Sequence, residues 1–370
     1  MALLERMDKE IKFGYLRDKP DPRDHKLATE FYLCTYPANY DPTGLWLANS
    51  LSNKWQAPYD QGAQGSCTAN MGAGLVDFNQ KQVKYPWSYE ASRSFIYYCT
   101  RTEEGSDTND DTGATIRGTI KAINKYGCCP EHGDPRWSME YNDKDWKTAP
   151  SGASCKDALL HCALEYQSVP QNEVAVKSLL CQDIPIGFGF MVYSSFMTKK
   201  VQQSGVMPQP GWLEQIQGGH AVIAIGYLTN YVAGDQKIKD WVIVRNSWGE
   251  NWGKKGTFLM PMKYFLNAST SSDFWAITKI GFAHKEVDPN KLAYVPNTYV
   301  HNTCVGVSAY DVMIDPVEQA LDFVRGLSPH SLAMLGFDYT PLNKVTPEQA
   351  MAVARAVCAV MVPVCKGLGE

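Results

Sequence analysis

The chain has 370 residues, enough for one large two-lobed domain with an added segment or for two to three smaller domains. Hydrophobic residues make up 44% and aromatic residues 12%, which allows a substantial buried core and excludes wholesale disorder. A formal net charge of -4, without any run of basic residues interleaved with aromatics, gives no reason to expect nucleic acid or an anionic membrane as a partner.

The N-terminus carries charge from Glu5 onward and lacks the apolar core of a secretory signal. No stretch approaches the roughly 20 uncharged apolar residues of a membrane span. Residues 1–54 read as an N-terminal extension that would act as a pro-like or strap segment. Within it, Asp18 to His25 is rich in Pro, Asp and Arg, and its two X-Pro steps disfavour helix. From Cys67 the pattern changes: Ala69, Met71, Ala73, Leu75, Val76 and Phe78 predict a largely buried helix of about four turns. Further helices are predicted around Tyr89–Cys99 and at Thr115–Lys125, where Ile116, Ile120, Ala122 and Ile123 face inward. An acidic loop, Glu103–Thr112, separates them.

Asn172–Cys181 reads as another helix. Beyond it, Ile184–Val192, His220–Tyr227, Trp241–Asn246 and Gly256–Pro261 are apolar or alternating runs bounded by Gly, Pro and Asn, as strands are. The class is therefore α+β, helical first and strand-rich second, over a domain spanning residues 55–284. Residues 285–370 look like a mainly helical addition. Pro316, Val317, Ala320, Leu321 and Val324 have helical spacing there, and Thr346-Pro347-Glu348-Gln349 reads as an N-cap and capping box opening a helix to about Met361.

Eleven cysteines, Cys34, Cys67, Cys99, Cys128, Cys129, Cys155, Cys162, Cys181, Cys304, Cys358 and Cys365, are odd in number and scattered, with no paired C-x-x-C knuckles. This spacing argues against a structural zinc site, so neither metal nor cofactor is expected. Mostly free thiols fit a reducing compartment such as the cytoplasm, or packaging in a particle if the source is viral.

The most informative segment is Asp60-Gln61-Gly62-Ala63-Gln64-Gly65-Ser66-Cys67-Thr68-Ala69. A thiol attacks well only as thiolate, and a helix start and an adjacent imidazolium both lower its pKa. Cys67 sits at a predicted helix start, with small Gly65 and Ser66 before it. His220, in Gly218-Gly219-His220-Ala221, begins an apolar strand and could take the thiol proton and return it to a leaving amine. Asn246, in Arg245-Asn246-Ser247-Trp248-Gly249, could accept from the far ring nitrogen of His220, with Trp248 shielding that bond. Gln61 would donate its amide to a tetrahedral oxyanion beside the Cys67 N–H. Each of the four has a plain structural reading alone: a core cysteine, a satisfied histidine and two polar turns. Their order along one chain is what makes them a candidate catalytic set.

That set, Gln-(five residues)-Cys, then Gly-His-Ala, then Asn-Ser-Trp-Gly with Trp252, Gly253 and Gly256 following, resembles the papain family of cysteine peptidases over roughly residues 55–282. The resemblance implies a two-lobed papain-like fold with a helical left lobe, a β-barrel-like right lobe and the active site in the cleft between them. It implies Cys67 and His220 as the ion pair, Asn246 as orienter and Gln61 in the oxyanion hole. By the same resemblance Gly113 and Ala114 form the wall that binds substrate backbone, Ala114 replacing a second glycine and altering the pocket entrance. Gly218 and Gly219 line the opposite side, with Gly65, Ser66 and Trp248 also at the substrate. Gln64 and Thr68 depart from the pattern of secreted members, as does the missing inhibitory pro-helix. The Gly14–Asp24 stretch and the Asp60-Gln61-Gly62 variant are more similar to disulfide-poor bacterial, archaeal and large-DNA-virus members.

The implied activity is that of a thiol endopeptidase acting on protein or peptide substrates through an acyl-enzyme. Two alternatives are an exopeptidase, with an added segment blocking one end of the cleft, and a latent or inactive papain-fold protein with its cleft occluded by the N-terminal segment or the residues after His284. His132, after Cys128-Cys129, fits a turn before Pro135 better than the carboxylate-binding loop of exopeptidase cathepsins.

Overall fold

The computed structural model describes residues 11–27, 36–47, 57–82, 89–159, 161–234 and 237–281. The predicted helices of the C-terminal extension at residues 316–324 and 346–361 lie outside the described residues, as do residues 1–10, 28–35 and 48–54 of the N-terminal extension.

The first half is helical, as its apolar spacing requires. Helix α1 runs Cys67–Gln82 and buries every residue but its last two, including Cys67 itself. A helix buried all round needs partners on several sides, and α1 has them in α2 (Arg93–Glu103), α3 (Ile116–Tyr126) and the sheet behind. Ser92 and Thr115 cap α2 and α3, each accepting a backbone N–H three residues on. The caps start both helices later than the predicted Tyr89 and Thr115, at Arg93 and Ile116. A seven-residue helix, α4 (Gly152–Ala158), was not expected from the sequence.

The second half is one antiparallel sheet of six strands, β3 (Cys162–Ser168), β4 (Ile186–Tyr193), β5 (Ile216–Leu228), β6 (Trp241–Arg245), β7 (Thr257–Pro261) and β8 (Ser271–Gly281). Their order is β3-β8-β4-β5-β6-β7. Four of these match the predicted runs; β3 and β8 carry more polar residues and escaped notice. Helix α5 (Glu173–Leu180) begins at Asn172, whose side chain accepts from the Ala175 N–H.

The sheet corrects one expectation: among the described residues it is open, not barrel-like, with β3 and β7 at its two edges. The reason is burial on both faces. Along β5, Ile223 and Ile225 join a cluster with α1 and α3, while Val222 and Ala224 join a second with Phe188, Phe190 and the α5 residues Val176 and Leu179. Helices cover each side, so nothing drives the strands to close on themselves. The edges are protected locally: Lys26 bridges to Ser168 on β3, and Val206 bridges to Leu259 on β7.

A buried polar knot ties α2 to the loop before α1. The Arg93 guanidinium lies 4.4 Å from the Tyr59 ring centroid and 3.9 Å from that of Tyr141. It pairs with the Glu131 carboxylate through Nε at 2.8 Å and Nη2 at 2.5 Å, and Nη1 donates to the Asp60 carbonyl. Removing one partner of such a pair strands the other charge, at a cost of about 3–5 kcal/mol. Arg93→Ala should therefore lower the unfolding free energy by that much, read as a lower denaturant midpoint at unchanged slope. Arg93→Lys should restore little, because lysine offers neither the fork nor the flat face. A midpoint unchanged in Arg93→Ala would remove the knot from the account of stability.

Candidate active site

The segment before α1 is locked from both sides. Its Gln61 N–H donates to the Ser247 carbonyl at 2.8 Å, and the Ser247 hydroxyl donates to Gln61 Oε1 at 2.7 Å. With Oε1 so engaged, the Gln61 amide nitrogen is the free donor end. It reaches the Lys12 carbonyl at 3.2 Å and the Gln64 carbonyl at 3.0 Å. Cys67 follows as the first residue of α1, at the positive end of the helix dipole. Backbone N–H groups of Ala221 and Gly14 reach its sulfur, so β5 and the N-terminal segment both meet at the thiol. Ser66 lies one residue away, but its hydroxyl is engaged by Tyr141 at 2.6 Å and by Asn70.

His220 is fully buried on β5, and Asn246 follows the last residue of β6. Nε2 of His220 lies 2.8 Å from Oδ1 of Asn246. The Ser247 N–H donates to the same Oδ1 at 2.9 Å, which fixes that atom as the oxygen. Nε2 must then carry the proton, leaving Nδ1 as the basic lone pair. Among the described residues Nδ1 has no hydrogen-bond partner. Trp248 stacks on the imidazole, centroids 4.8 Å apart and planes inclined by 22°, and so covers the Nε2 bond.

The N-terminal segment crosses this site. Strand β1 (Tyr15–Leu16) pairs in parallel with β2 (Ala114–Thr115), and the Ala114 N–H donates to the Gly14 carbonyl at 2.8 Å. Gly113, at φ +75°, lies so close that a Cβ would collide with the same carbonyl. Phe13 packs edge-on against His220 and Trp248, at 6.2 and 6.4 Å between centroids. It also lies against Gly218, and Tyr15 lies against Gly219. The Lys12 ammonium pairs at 2.8 Å with Asp111, whose carboxylate also accepts from the Gly65 N–H. The glycines and Ala114 expected at the substrate thus touch residues 12–16 of this chain.

The chain's similarities agree with the geometry. Residues 49–273 match the family model described as papain family cysteine protease. The chain belongs to that family. It is 35% identical over 286 residues to an uncharacterized peptidase C1-like protein of Acanthamoeba polyphaga mimivirus, covering 72% of this chain and 87% of that one. The crystal structure of xylellain, a cysteine protease from Xylella fastidiosa, superposes with a TM-score of 0.61 at 32% identity, covering 73% of this chain and 97% of that one. Cathepsin K of Gallus gallus is 27% identical over 204 residues, 54% of each chain. The viral and bacterial relatives fit the branch inferred from the Gly14–Asp24 stretch and the Asp60-Gln61-Gly62 variant, and Cys67, Cys99, Cys128, Cys129 and Cys162 are free thiols. Among the described residues no helix is long and apolar enough to cross a membrane.

The electrostatics of this papain-family site run opposite to the expectation for Cys67. Burial pushes the thiol up to about 11, despite opposing N–H groups at the sulfur. Burial also pushes His220 down to about 4, against the raising effect of its Asn246 bond. With the segment in place the pair is therefore neutral thiol and neutral imidazole. Sequence reasoning missed Asp111 and Ser247, which act through Gly65 and Gln61. It also missed Lys12, Phe13 and Tyr15. The Phe13-Gly14-Tyr15 pattern, aromatic residues around a glycine, was the available signal.

Two groups make docking of this segment pH-dependent, in opposite senses. His220, depressed to about 4, contributes docking stability above its ordinary 6.5 that is lost as pH falls through 4. Asp18, raised to about 6 by burial and by Asp273 against the pull of Arg117, contributes stability below 3.8 that is lost as pH rises through 6. Asp18→Asn removes the second effect, so alkylation of Cys67 in that variant should accelerate on acidification below pH 6.5 relative to wild type. Equal pH profiles for the two proteins would exclude this account.

Proposed function

We propose that this papain-family cysteine protease is an endopeptidase whose nucleophile is Cys67, and that residues 12–16 hold it latent. The observation that carries the catalytic reading is the fixed tautomer of His220, with its basic Nδ1 unengaged on the strand whose next N–H touches the Cys67 sulfur. In an opened cleft Nδ1 takes the thiol proton, and the thiolate attacks a peptide carbonyl carbon. The oxyanion is held by the Gln61 amide and the Cys67 N–H. Its collapse expels the amine, which takes its proton from His220, and leaves an acyl-enzyme. Water, deprotonated by His220, then attacks the thioester and frees the acid. Asn246 keeps the ring in register throughout, and one oxyanion donor is worth about 3 kcal/mol in the transition state.

Latency is supported by where the segment's own atoms lie. The Lys12 carbonyl takes the donor of Gln61. A leaving amine must be next to His220, so the part of a substrate C-terminal to the scissile bond lies towards Trp248. This segment runs the other way: Phe13 is against His220 and Trp248, and the chain then proceeds to Tyr15, which pairs with Ala114 of β2. It binds with reversed polarity and presents no bond for attack.

Endopeptidase action is favoured over removal of C-terminal residues by the surroundings of His132. Its Nε2 lies 3.4 Å from Glu90 and 3.8 Å from Glu131, carboxylates that would repel a substrate carboxylate. A test is to cut the folded full chain at the exposed Pro20–Arg23 turn, by a recognition site engineered there. End-blocked peptide turnover should rise by about a hundredfold or more, and Cys67→Ala should abolish it. Equal activity before and after cutting would remove the latency, and activity in Cys67→Ala would remove the nucleophile.

A further inference from the structure

The Gln61 side-chain amide carries two N–H bonds, and one of them must be available to an oxyanion. One donates to the Gln64 carbonyl at 3.0 Å, and the other reaches the Lys12 carbonyl at 3.2 Å. When residues 12–16 leave, the second is released to a reacting carbonyl. Its aim then rests on two partners within the peptidase domain. The Ser247 hydroxyl holds Oε1, and the Gln64 carbonyl holds Nε2.

The Gln64 carbonyl belongs to the same peptide group as the Gly65 N–H. That N–H donates to the Asp111 carboxylate, 3.2 Å from Oδ1 and 3.0 Å from Oδ2. One carboxylate thus grips the far end of the peptide whose near end grips Gln61. The grip matters because the segment is loose by composition. Gly65 has no Cβ to resist rotation of the peptide before it, and Gly62, at φ +58°, turns the chain three residues earlier. A flipped peptide would carry its carbonyl away from Gln61 and leave the amide free to rotate about its last torsion.

Asp111 is itself fixed before any substrate arrives. The Tyr97 hydroxyl donates to Oδ1 at 2.5 Å and accepts the Gly113 N–H at 3.1 Å. Arg101, one turn further along α2 and fully buried, donates to the carbonyls of Thr108 and Asp110, each at 2.8 Å, and so shapes the loop leading to Asp111. The carboxylate is only 2% exposed. In the docked state Lys12 closes both ends of this chain of bonds. Its ammonium pairs with Asp111 at 2.8 Å while its carbonyl takes Gln61. Departure of the segment removes that ammonium but neither the Gly65 nor the Tyr97 bond. A carboxylate also polarises the peptide it grips, which makes the carbonyl at the other end a stronger acceptor.

We propose that Asp111 is a positioning residue for the oxyanion hole, aiming the Gln61 amide through the Gln64–Gly65 peptide. It acts through the backbone, without contact to the reacting atoms. The inference rests on the peptidase reading above and adds a residue to the machinery of that site.

The test uses the full chain cut at the Pro20–Arg23 turn and freed of the released segment, with an end-blocked peptide at saturation. Removing an oxyanion donor outright costs about 10²–10³ in kcat, so losing its aim in Asp111→Ala should lower kcat by about thirtyfold, with KM within about threefold of the parent. In a Gln61→Ala background the same substitution should change kcat by less than about threefold, because the amide that it aims is gone. Alkylation of Cys67 by iodoacetamide, which forms no oxyanion, should stay within about threefold in every variant. If Asp111→Ala fails to fold, Tyr97→Phe loosens the carboxylate instead. It should lower kcat by about fivefold or more alone, and by less than about twofold beside Gln61→Ala. Equal losses in the two backgrounds would overturn the inference, as would an unchanged kcat or a fall in alkylation that matches the fall in kcat. Each of these results leaves the peptidase reading standing, whereas no turnover by the cut parent chain would overturn that reading itself.

Discussion

The site depends on a short antiparallel contact between two loops far apart in the chain. Asp60 bridges Trp248, the Gln61 N–H and side chain bond Ser247, and the Gly249 N–H donates to the Tyr59 carbonyl. Residue 61 leads directly into α1 and its Cys67, while residue 247 directly follows Asn246 at the end of β6. The contact therefore fixes the start of a helix against the end of a strand, with both backbones and one buried side-chain pair. The Arg93 knot holds the same loop from behind through the Asp60 carbonyl. An apolar cluster shared by α1, α3 and β5 also joins the two halves, and the loop seam sets their register at the site.

The motif residues were legible because their chemistry admits few substitutes. An imidazole needs an oriented acceptor, and an oxyanion needs a donor held at its other end. Cys67 opens α1 and Asn246 follows β6, as the apolar pattern indicated, whereas Gln61 lies in the loop before α1 and His220, expected at a strand start, is the fifth residue of β5. Helix positions were legible for a similar reason, since Ser92, Thr115 and Asn172 are residues that cap. The openness of the sheet was not legible. Alternation along β5 reveals that a strand has two faces, but when both faces are apolar it does not reveal what covers each.

The docking of residues 11–18 was legible only in outline. Its main anchors are backbone groups, the carbonyls of Lys12 and Gly14, and backbone groups leave no signature in residue identity. Its side-chain anchors pair across long stretches of chain, Lys12 with Asp111 and Tyr15 with Ser272. Asp273, which accepts from the Tyr15 hydroxyl, was equally hidden. Ser271-Ser272-Asp273-Phe274-Trp275 reads as the start of an ordinary strand, and only the register against β4 shows that one residue is extra.

The segment proposed to block the cleft is attached to the domain that holds the cleft, and this attachment has a thermodynamic consequence separate from any contact. A tethered ligand acts at an effective concentration set by its linker, on the order of millimolar for a short one. Cutting the exposed turn after Asp18 alters none of the bonds in the cleft, yet it turns a unimolecular equilibrium into a bimolecular one. Cut molecules at high density would then remain shut, each cleft finding a released segment nearby. The same molecules would open on dilution, so that crowding itself would decide how much of the cut protein is at work.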